Sequence, residues 1–319
     1  MIKRIAVFTS GGDSPGMNAA VRAVIRAGLF YGKEMYVIYR GYKGLLEGDI
    51  HQVNKDFTQD IINRGGTILK SARLPEFKEP EVVAKAVEIL RDYEIDALVG
   101  IGGDGTYRGL LDISRLGFPV VGIPGSIDND VASTDYTIGF MTALGTICDC
   151  IDKIKDTSSS HQRCSVIEVM GRHCGDLAVF ASIAEAAELT ITYDHHYDED
   201  YIFRKLRKMK AQNKSHAIVV VSENLLDTHA LGQQIQEKTG FHTQVEILGH
   251  LQRGGSPCAF DRILASRMGS KAVEVLDEGA TGVVIGSIDE DIVAIDIEEA
   301  LKMPRDKHEN LLKLINMLQ

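Results

Sequence analysis

Three short stretches carry residue types suited to chemistry. PGSIDNDVASTD (124–135) places Asp128, Asp130 and Asp135 close behind a Gly-Ser pair. SGGDSPGMN (10–18) and GGDGT (102–106) each set an aspartate among glycines. Carboxylates gathered on a turn either face water or hold something that needs negative charge: a metal ion, or a hydroxyl about to lose its proton. Glycines after a strand let backbone N–H groups approach phosphate, and a helix N-terminus adds partial positive charge. Taken singly, each turn reads as strand-to-helix punctuation; the three together point to a phosphate and metal site. None matches GxxxxGK followed by Ser or Thr, and none matches GxGxxG, so neither a P-loop nor a dinucleotide fingerprint is present there.

Within that reading the acids take separate roles. Mg²⁺ at a phosphoryl-transfer site is held by one or two carboxylates plus phosphate oxygens, which suits Asp104 at a strand end. Asp128 and Asp130 can divide the work of activating a hydroxyl and supporting the metal, with the Ser126 hydroxyl beside them. A transferred anionic group also needs cations. Arg172 in MGRHCGD and Arg253 in GHLQRGGSP both follow strand-like runs, and guanidinium forks match phosphate oxygens. His250 is open between a core histidine and a ligand.

These turns need a scaffold. Strand-like runs are IAVFTS (5–10), MYVIY (35–39), ALVGIG (97–102), PVVGIP (119–124), SVIEVM (165–170), HAIVVVSE (216–223) and VEILG (245–249). Helical patterns lie between most of them, such as EPEVVAKAVEILRDY (79–93) and DEDYIFRKLRKMK (198–210). Buried β-branched runs alternating with helices indicate an α/β fold with parallel sheets and crossover helices. The crevice at the carboxyl ends of such strands binds ligands. A length of 319 residues favours two domains, and no Pro/Gly-rich linker marks a boundary, so the chain is expected to cross between them more than once. No repeat of fixed period stands out.

Composition is that of a globular protein, with 44% hydrophobic and 25% charged residues. The 45 acidic against 35 basic residues, a net charge of -10, argue against nucleic-acid and membrane-surface roles. No apolar run approaches the roughly 20 residues that span a bilayer, and no signal peptide is expected at the N-terminus. The five cysteines lack paired CxxC spacing, which suggests reduced thiols in the cytoplasm.

Seven blocks in order extend the reading. SGGDSPGMNAAVRAV, RGGTILKSAR, IGGDGTYRG, PGSIDND, DTSSSHQR, VIEVMGRHCGD and LGHLQRGGSPCAFDRILASRMG together resemble bacterial ATP-dependent 6-phosphofructokinases, from residue 2 to about residue 290. The resemblance implies two Rossmann-like three-layer α/β/α domains with chain crossovers. A larger ATP-binding domain would take 1–138 plus 252–305; a smaller sugar-phosphate-binding domain would take 139–251 plus 306–319. It implies a cytoplasmic homotetramer that moves the γ-phosphoryl of ATP, with Mg²⁺, to the 1-hydroxyl of fructose 6-phosphate.

By the same resemblance Asp128 is the base, Asp130 its partner near the metal, Ser126 stands where the family has Thr, and Asp104 is the metal ligand. Gly12 and Arg73 match ATP phosphate contacts, with Tyr42, Gly103, Gly105, Thr106 and Gly109 around the nucleotide. Arg172 matches the transition-state cation. Met170, Gly171, Glu223, His250 and Arg253 match sugar-phosphate contacts, joined by Arg163 and Gln244 from a neighbouring subunit. Pyrophosphate-dependent relatives typically carry Asp in place of Gly105 and Lys in place of Gly125, so small residues at both favour ATP.

Two regions depart from the pattern. Gln244 stands where the family has a basic residue five positions before the GHxQRGG glycine, with Glu246 nearby, which implies weakened sugar-phosphate binding. The site for ADP or phosphoenolpyruvate is expected at Arg22, Arg26, Lys55, Lys155, Ala186, Glu188, Gln212 and Lys214. There the usual Gly-Gly pair reads Glu185-Ala186, and the added carboxylate should weaken anion binding. The alternative to an active kinase is a catalytically weakened paralogue serving as a regulatory or binding subunit.

Overall fold

The structure, a computed structural model, describes residues 2–195 and 198–318. The chain begins with β1 (Arg4–Thr9), α1 (Met17–Phe30), β2 (Glu34–Ile38), α2 (Gly41–Leu46), β3 (Ile50–Val53) and α3 (Pro80–Asp92). It continues with β4 (Ala97–Gly102), α4 (Asp104–Arg115), β5 (Val120–Ser126), β6 (Ile138–Gly139), α5 (Phe140–His161), β7 (Arg163–Val169), α6 (Asp176–Ala184) and β8 (Leu189–Ile191). It ends with α7 (Glu199–Ala211), β9 (Ala217–Ser222), α8 (Thr228–Thr239), β10 (His242–Ile247), α9 (Ala259–Asp277), β11 (Val283–Ile288), β12 (Asp291–Asp296), α10 (Ile297–Ala300) and α11 (Glu309–Leu318). The chain divides into two compact units: Met1–Thr142 with Arg253–Arg305, and Ala143–Gln252 with Asp306–Gln319.

In the first unit the strand order is β12-β11-β5-β4-β1-β2-β3, with β6 beside the end of β5. The inner strands pair in parallel, and β3 and β12 close the edges antiparallel. Side chains alternate across the pleat. Ile5, Val7, Val99 and Ile101 pack against α1 and α9 on one face. Ala6, Phe8, Leu98 and Val120 pack against α2, α3 and α4 on the other. Both faces being covered explains why these strands read as continuous apolar runs.

The second unit carries a parallel sheet in the order β10-β7-β9-β8. Cys164, Val166, Val219 and Val221 meet Phe203, Leu206 and Ile235 of α7 and α8 on one face. On the other, α6 lies against β8 and β9, and Ser158 of α5 shares a 2.6 Å hydroxyl bond with Ser165 of β7. Each unit is thus three-layered.

The seven runs read as strands correspond to β1, β2, β4, β5, β7, β9 and β10, shifted by up to three residues at the ends. Among the described residues five strands escape that reading. β3 (IHQV) and β12 (DIVAID) are edge strands with exposed polar positions, and β6 and β8 have only two and three residues. In β11 (VVIGSI) a glycine and a serine dilute the β-branched run.

Candidate active site

The strand order places the three glycine-bearing turns together. β5, β4 and β1 are neighbours and parallel, so the turns leaving their carboxyl ends open on one edge of the first sheet. After β1, Ser10 N donates to Ile101 O (2.9 Å) and the chain turns through Gly11 at φ 81°. Gly12 admits a guanidinium: a Cβ there would lie 2.7 Å from Nη1 of Arg253, which also donates to Asp13 O (3.2 Å). Facing this loop is residues 61–73, pinned by Asn18. Its Nδ2 donates to Arg64 O (2.9 Å) and its Oδ1 accepts from Ile68 N (2.8 Å). Thr9 adds a hydroxyl bond to Thr67 (2.7 Å), and Ser71 donates to Gly11 O. Between the two loops is a cavity of about 400 Å³ lined by Gly11, Gly12, Asp13, Thr67, Ser71, Ala72 and Arg73. Gly12 and Arg73 therefore share a cavity, while Asp13, Thr67 and Ser71 join them from positions the sequence reading did not assign.

The turn after β4 starts α4. Gly103 is its extended N-cap, and Asp104 stands in the first turn. Thr106 N returns to Gly103 O (2.8 Å), while the Thr106 hydroxyl is buried and has no hydrogen-bond partner among the described residues. Asp104 is half-buried and Gly105 exposed, with nothing within 4 Å of a Cβ at Gly105. Tyr42 packs against α4. Its ring is buried, stacked on Phe77 (3.9 Å) and tilted against Phe8 (4.9 Å), and its hydroxyl donates to Thr106 O (2.6 Å). Burial, reinforced by the charge of Asp112, pushes that phenol well above its ordinary pKa. Gly109 lets the ring approach, since a Cβ there would be 2.6 Å from the Tyr42 hydroxyl. Tyr42 and Gly109 thus set the position of α4.

The turn after β5 is built on side chains. Ser126 Oγ donates to Asp130 Oδ1 (2.9 Å) and accepts from Asp128 N (3.2 Å). Between them Asn129 adopts φ 53°, a left-handed conformation that asparagine tolerates. Its side chain accepts from Thr137 N (2.9 Å) and donates to Asp135 O (3.2 Å). Thr137 in turn donates to Ser126 O (2.6 Å). Asp128 is buried (6% exposed) and Asp130 half-buried. Asp135 does other work: its Oδ2 accepts from Asp289 N (2.8 Å), tying the loop to the end of β11. Beneath the turn, the fully buried Asp261 accepts from Gly139 N (2.9 Å), Thr142 N (2.8 Å) and Thr142 Oγ1 (2.5 Å). It fixes β6, which pairs with Gly125 and Ser126. Burial raises the Asp261 carboxyl pKa against those donors.

In the second unit, Met170, Gly171 and Arg172 follow β7. Arg172 is exposed and held at φ 57°, an uncommon conformation for arginine. Glu223 fixes it by accepting from Arg172 N (2.9 Å), while Glu223 N donates to Val169 O (2.8 Å). His250 is exposed in a 3-10 turn spanning Gly249–Arg253. Arg163 opens β7 in register with His242, and Gln244 lies opposite Ser165. Gln244 and Glu246 are both exposed, as expected for alternate residues on one face of β10.

Residues 4–276 match the family described as Phosphofructokinase. The chain belongs to the phosphofructokinase family. It is 51% identical to the ATP-dependent 6-phosphofructokinase of Teredinibacter turnerae over 319 residues, covering 100% of both chains. It superposes on the Pichia pastoris phosphofructokinase in the T-state with a TM-score of 0.90 and 34% identity, covering 100% of this chain but 37% of that longer one. A pyrophosphate-dependent phosphofructokinase from Nitrosospira multiformis superposes at TM-score 0.87 with 21% identity, covering 97% of this chain and 86% of that one. That likeness shows the fold alone.

Within this family the residues matched to an effector site take particular partners here. In the first unit Arg26 Nε donates to Thr58 Oγ1 (2.5 Å), whose hydroxyl donates to Lys55 O (2.7 Å); Arg22 is half-buried on the same helix. In the second unit Lys155 is 2.5 Å from Glu185, a buried carboxylate, and Ala186 adopts φ 48°. Glu185 also helps burial push the Cys148 thiol up to about 12. Lys214 pairs with Glu188, which also accepts from Ile218 N (2.6 Å), and Gln212 is exposed at the C-cap of α7.

A divalent cation fits this donor set in one way. Among the described residues no three His, Cys, Asp or Glu side chains cluster for a metal, so no all-protein cage exists. Mg²⁺ does not need one, because it binds through one or two carboxylates together with substrate phosphates. Asp104, half-buried beside the open space over Gly105, is a carboxylate that fits that mode of binding.

Proposed function

We propose that this chain transfers the γ-phosphoryl group of ATP to the 1-hydroxyl of fructose 6-phosphate, giving fructose 1,6-bisphosphate and ADP. The observation that carries the reading is the neighbouring placement of β1, β4 and β5, which brings the Gly11–Arg73 cavity, Asp104 and the Ser126–Asp130 turn to one sheet edge. Full-length identity of 51% to an ATP-dependent 6-phosphofructokinase supports it.

Gly11 and Gly12 offer backbone to the phosphate chain, and Arg73 offsets its charge within the cavity. Asp104 would hold Mg²⁺, which when bound with the nucleotide neutralises phosphate charge. Asp128 accepts the proton of the attacking hydroxyl. Asp130 and Ser126 hold the turn so that its carboxylate is placed before the substrate arrives. Arg172 stabilises charge on the transferring group, the form of help a loose phosphoryl transition state uses most. By family resemblance Met170, Gly171, Glu223, His250 and Arg253 are carried over as sugar-phosphate contacts, with Arg163 and Gln244 serving a neighbouring subunit of a homotetramer. The open space at Gly105 leaves room for a nucleoside, favouring ATP over pyrophosphate. ADP and phosphoenolpyruvate are weak effectors, and five cysteines without paired CxxC spacing suit a reducing cytoplasm.

A coupled assay tests this directly. Turnover is expected with fructose 6-phosphate and ATP, and none when pyrophosphate replaces ATP. Tight ligand binding without turnover would favour a weakened regulatory paralogue instead.

A further inference from the structure

We infer that Gln252 is a positioning residue that presents the sugar-phosphate side chains, an inference that rests on the function proposed above. Gln252 is fully buried, and both ends of its amide are used. Oε1 accepts from Met170 N (3.0 Å), and Nε2 donates to Gly249 O (3.0 Å).

The location explains the need. β10 runs parallel to β7 as far as the pair Ile247 and Glu168, and Leu248 N adds one more bond to Glu168 O (3.1 Å). The chain then leaves the ladder at Gly249, which adopts φ 52°. Backbone groups two residues apart on a strand point to the same side. Met170 N–H therefore faces the place where β10 has ended. A buried N–H without a partner is costly, and the Gln252 side chain takes the place of the missing strand. The same amide holds Gly249, the first residue of the turn that presents His250. One side chain thus joins two segments 82 residues apart: the end of β7, leading into Gly171 and Arg172, and the turn bearing His250. The amide meets both demands at once, because it offers one acceptor and one donor and stays uncharged at every pH.

The test is the replacement Gln252→Met, which keeps approximate volume and removes both hydrogen bonds. Saturation curves for each substrate are compared with those of the parent enzyme, whose own turnover independently tests the proposed function. The KM for fructose 6-phosphate is expected to rise about tenfold, within the range for leaving a buried polar group unpaired, while the KM for ATP changes less than twofold. A lowered melting temperature with an unchanged sugar-phosphate KM would show a purely structural residue and overturn the proposal. Gln252→Glu decides the matter should the Met variant fail to fold. A neutral carboxyl there can accept from Met170 N and donate to Gly249 O, whereas a carboxylate cannot donate; burial raises its pKa. The ratio of variant to parent KM for fructose 6-phosphate is expected to stay near one at acid pH and to climb as pH rises. The ratio cancels any pH dependence that variant and parent share. A ratio flat across pH would also overturn the proposal.

Discussion

Replacing Gln244 with arginine should strengthen fructose 6-phosphate binding, by an amount the geometry limits. Gln244 is exposed on the edge strand β10, and the side chains at 242, 244 and 246 share the outward face. If that face meets the 6-phosphate of a neighbouring subunit, the glutamine supplies a neutral hydrogen bond where a guanidinium would supply a charged one. Charge assistance roughly doubles such a bond, a gain of about 1–2 kcal/mol. Glu246 works against it. Residues two apart on a strand are separated by about 6.6 Å, within reach of an arginine, and an exposed ion pair is worth about 0.2–1 kcal/mol. The net gain is then about 0.5–1.5 kcal/mol, or roughly two- to tenfold in the half-saturating fructose 6-phosphate concentration. Removing the competitor in Gln244→Arg with Glu246→Gln should recover about five- to thirtyfold, because neighbouring sites are not additive. The assay is a set of fructose 6-phosphate saturation curves at saturating ATP and matched ionic strength for the parent, the single and the double variant. The ATP KM should hardly move in any of them. Superimposable curves would mean that position 244 does not face the sugar phosphate, and the reasoning would fail.

Three further outcomes are expected. Asp128→Ser should retain fold and ATP binding but lose about 10²–10⁴-fold in kcat, the worth of a positioned base; near-normal turnover would remove it from that role. Arg172→Ser should impair both turnover and fructose 6-phosphate affinity, at about 1.5–3 kcal/mol for a lost charged hydrogen bond, and a change confined to ATP affinity would contradict the assignment. Millimolar ADP or phosphoenolpyruvate should shift the fructose 6-phosphate curve little, because Lys155 and Lys214 already face Glu185 and Glu188; a tenfold shift by either ligand would refute that.

The sequence by itself determined the layered α/β architecture, because strands buried on both faces leave continuous β-branched runs and the turns after them need glycine. It also singled out the Asp128–Asp130 turn and Asp104, since carboxylates set among glycines at strand ends stand out locally. The edge strands β3 and β12 did not stand out, because half of their residues face solvent. Tertiary structure alone decided which groups meet. Arg253 lies against the Gly12 loop, 240 residues away from its partner Asp13, only because α9 and α1 pack on the same face of the sheet. Tyr42 proved to be a buried support for α4, and Asp135 a tie to β11. Gln252 lies inside the GHxQRGG block, yet its positioning role carried no sequence signal, because nothing in its neighbourhood states that the β10 ladder ends two residues too early for Met170. Spacing along a chain records periodicity, but the partner of a polar group is set by strand order and by where each ladder stops, and those are properties of the folded sheet.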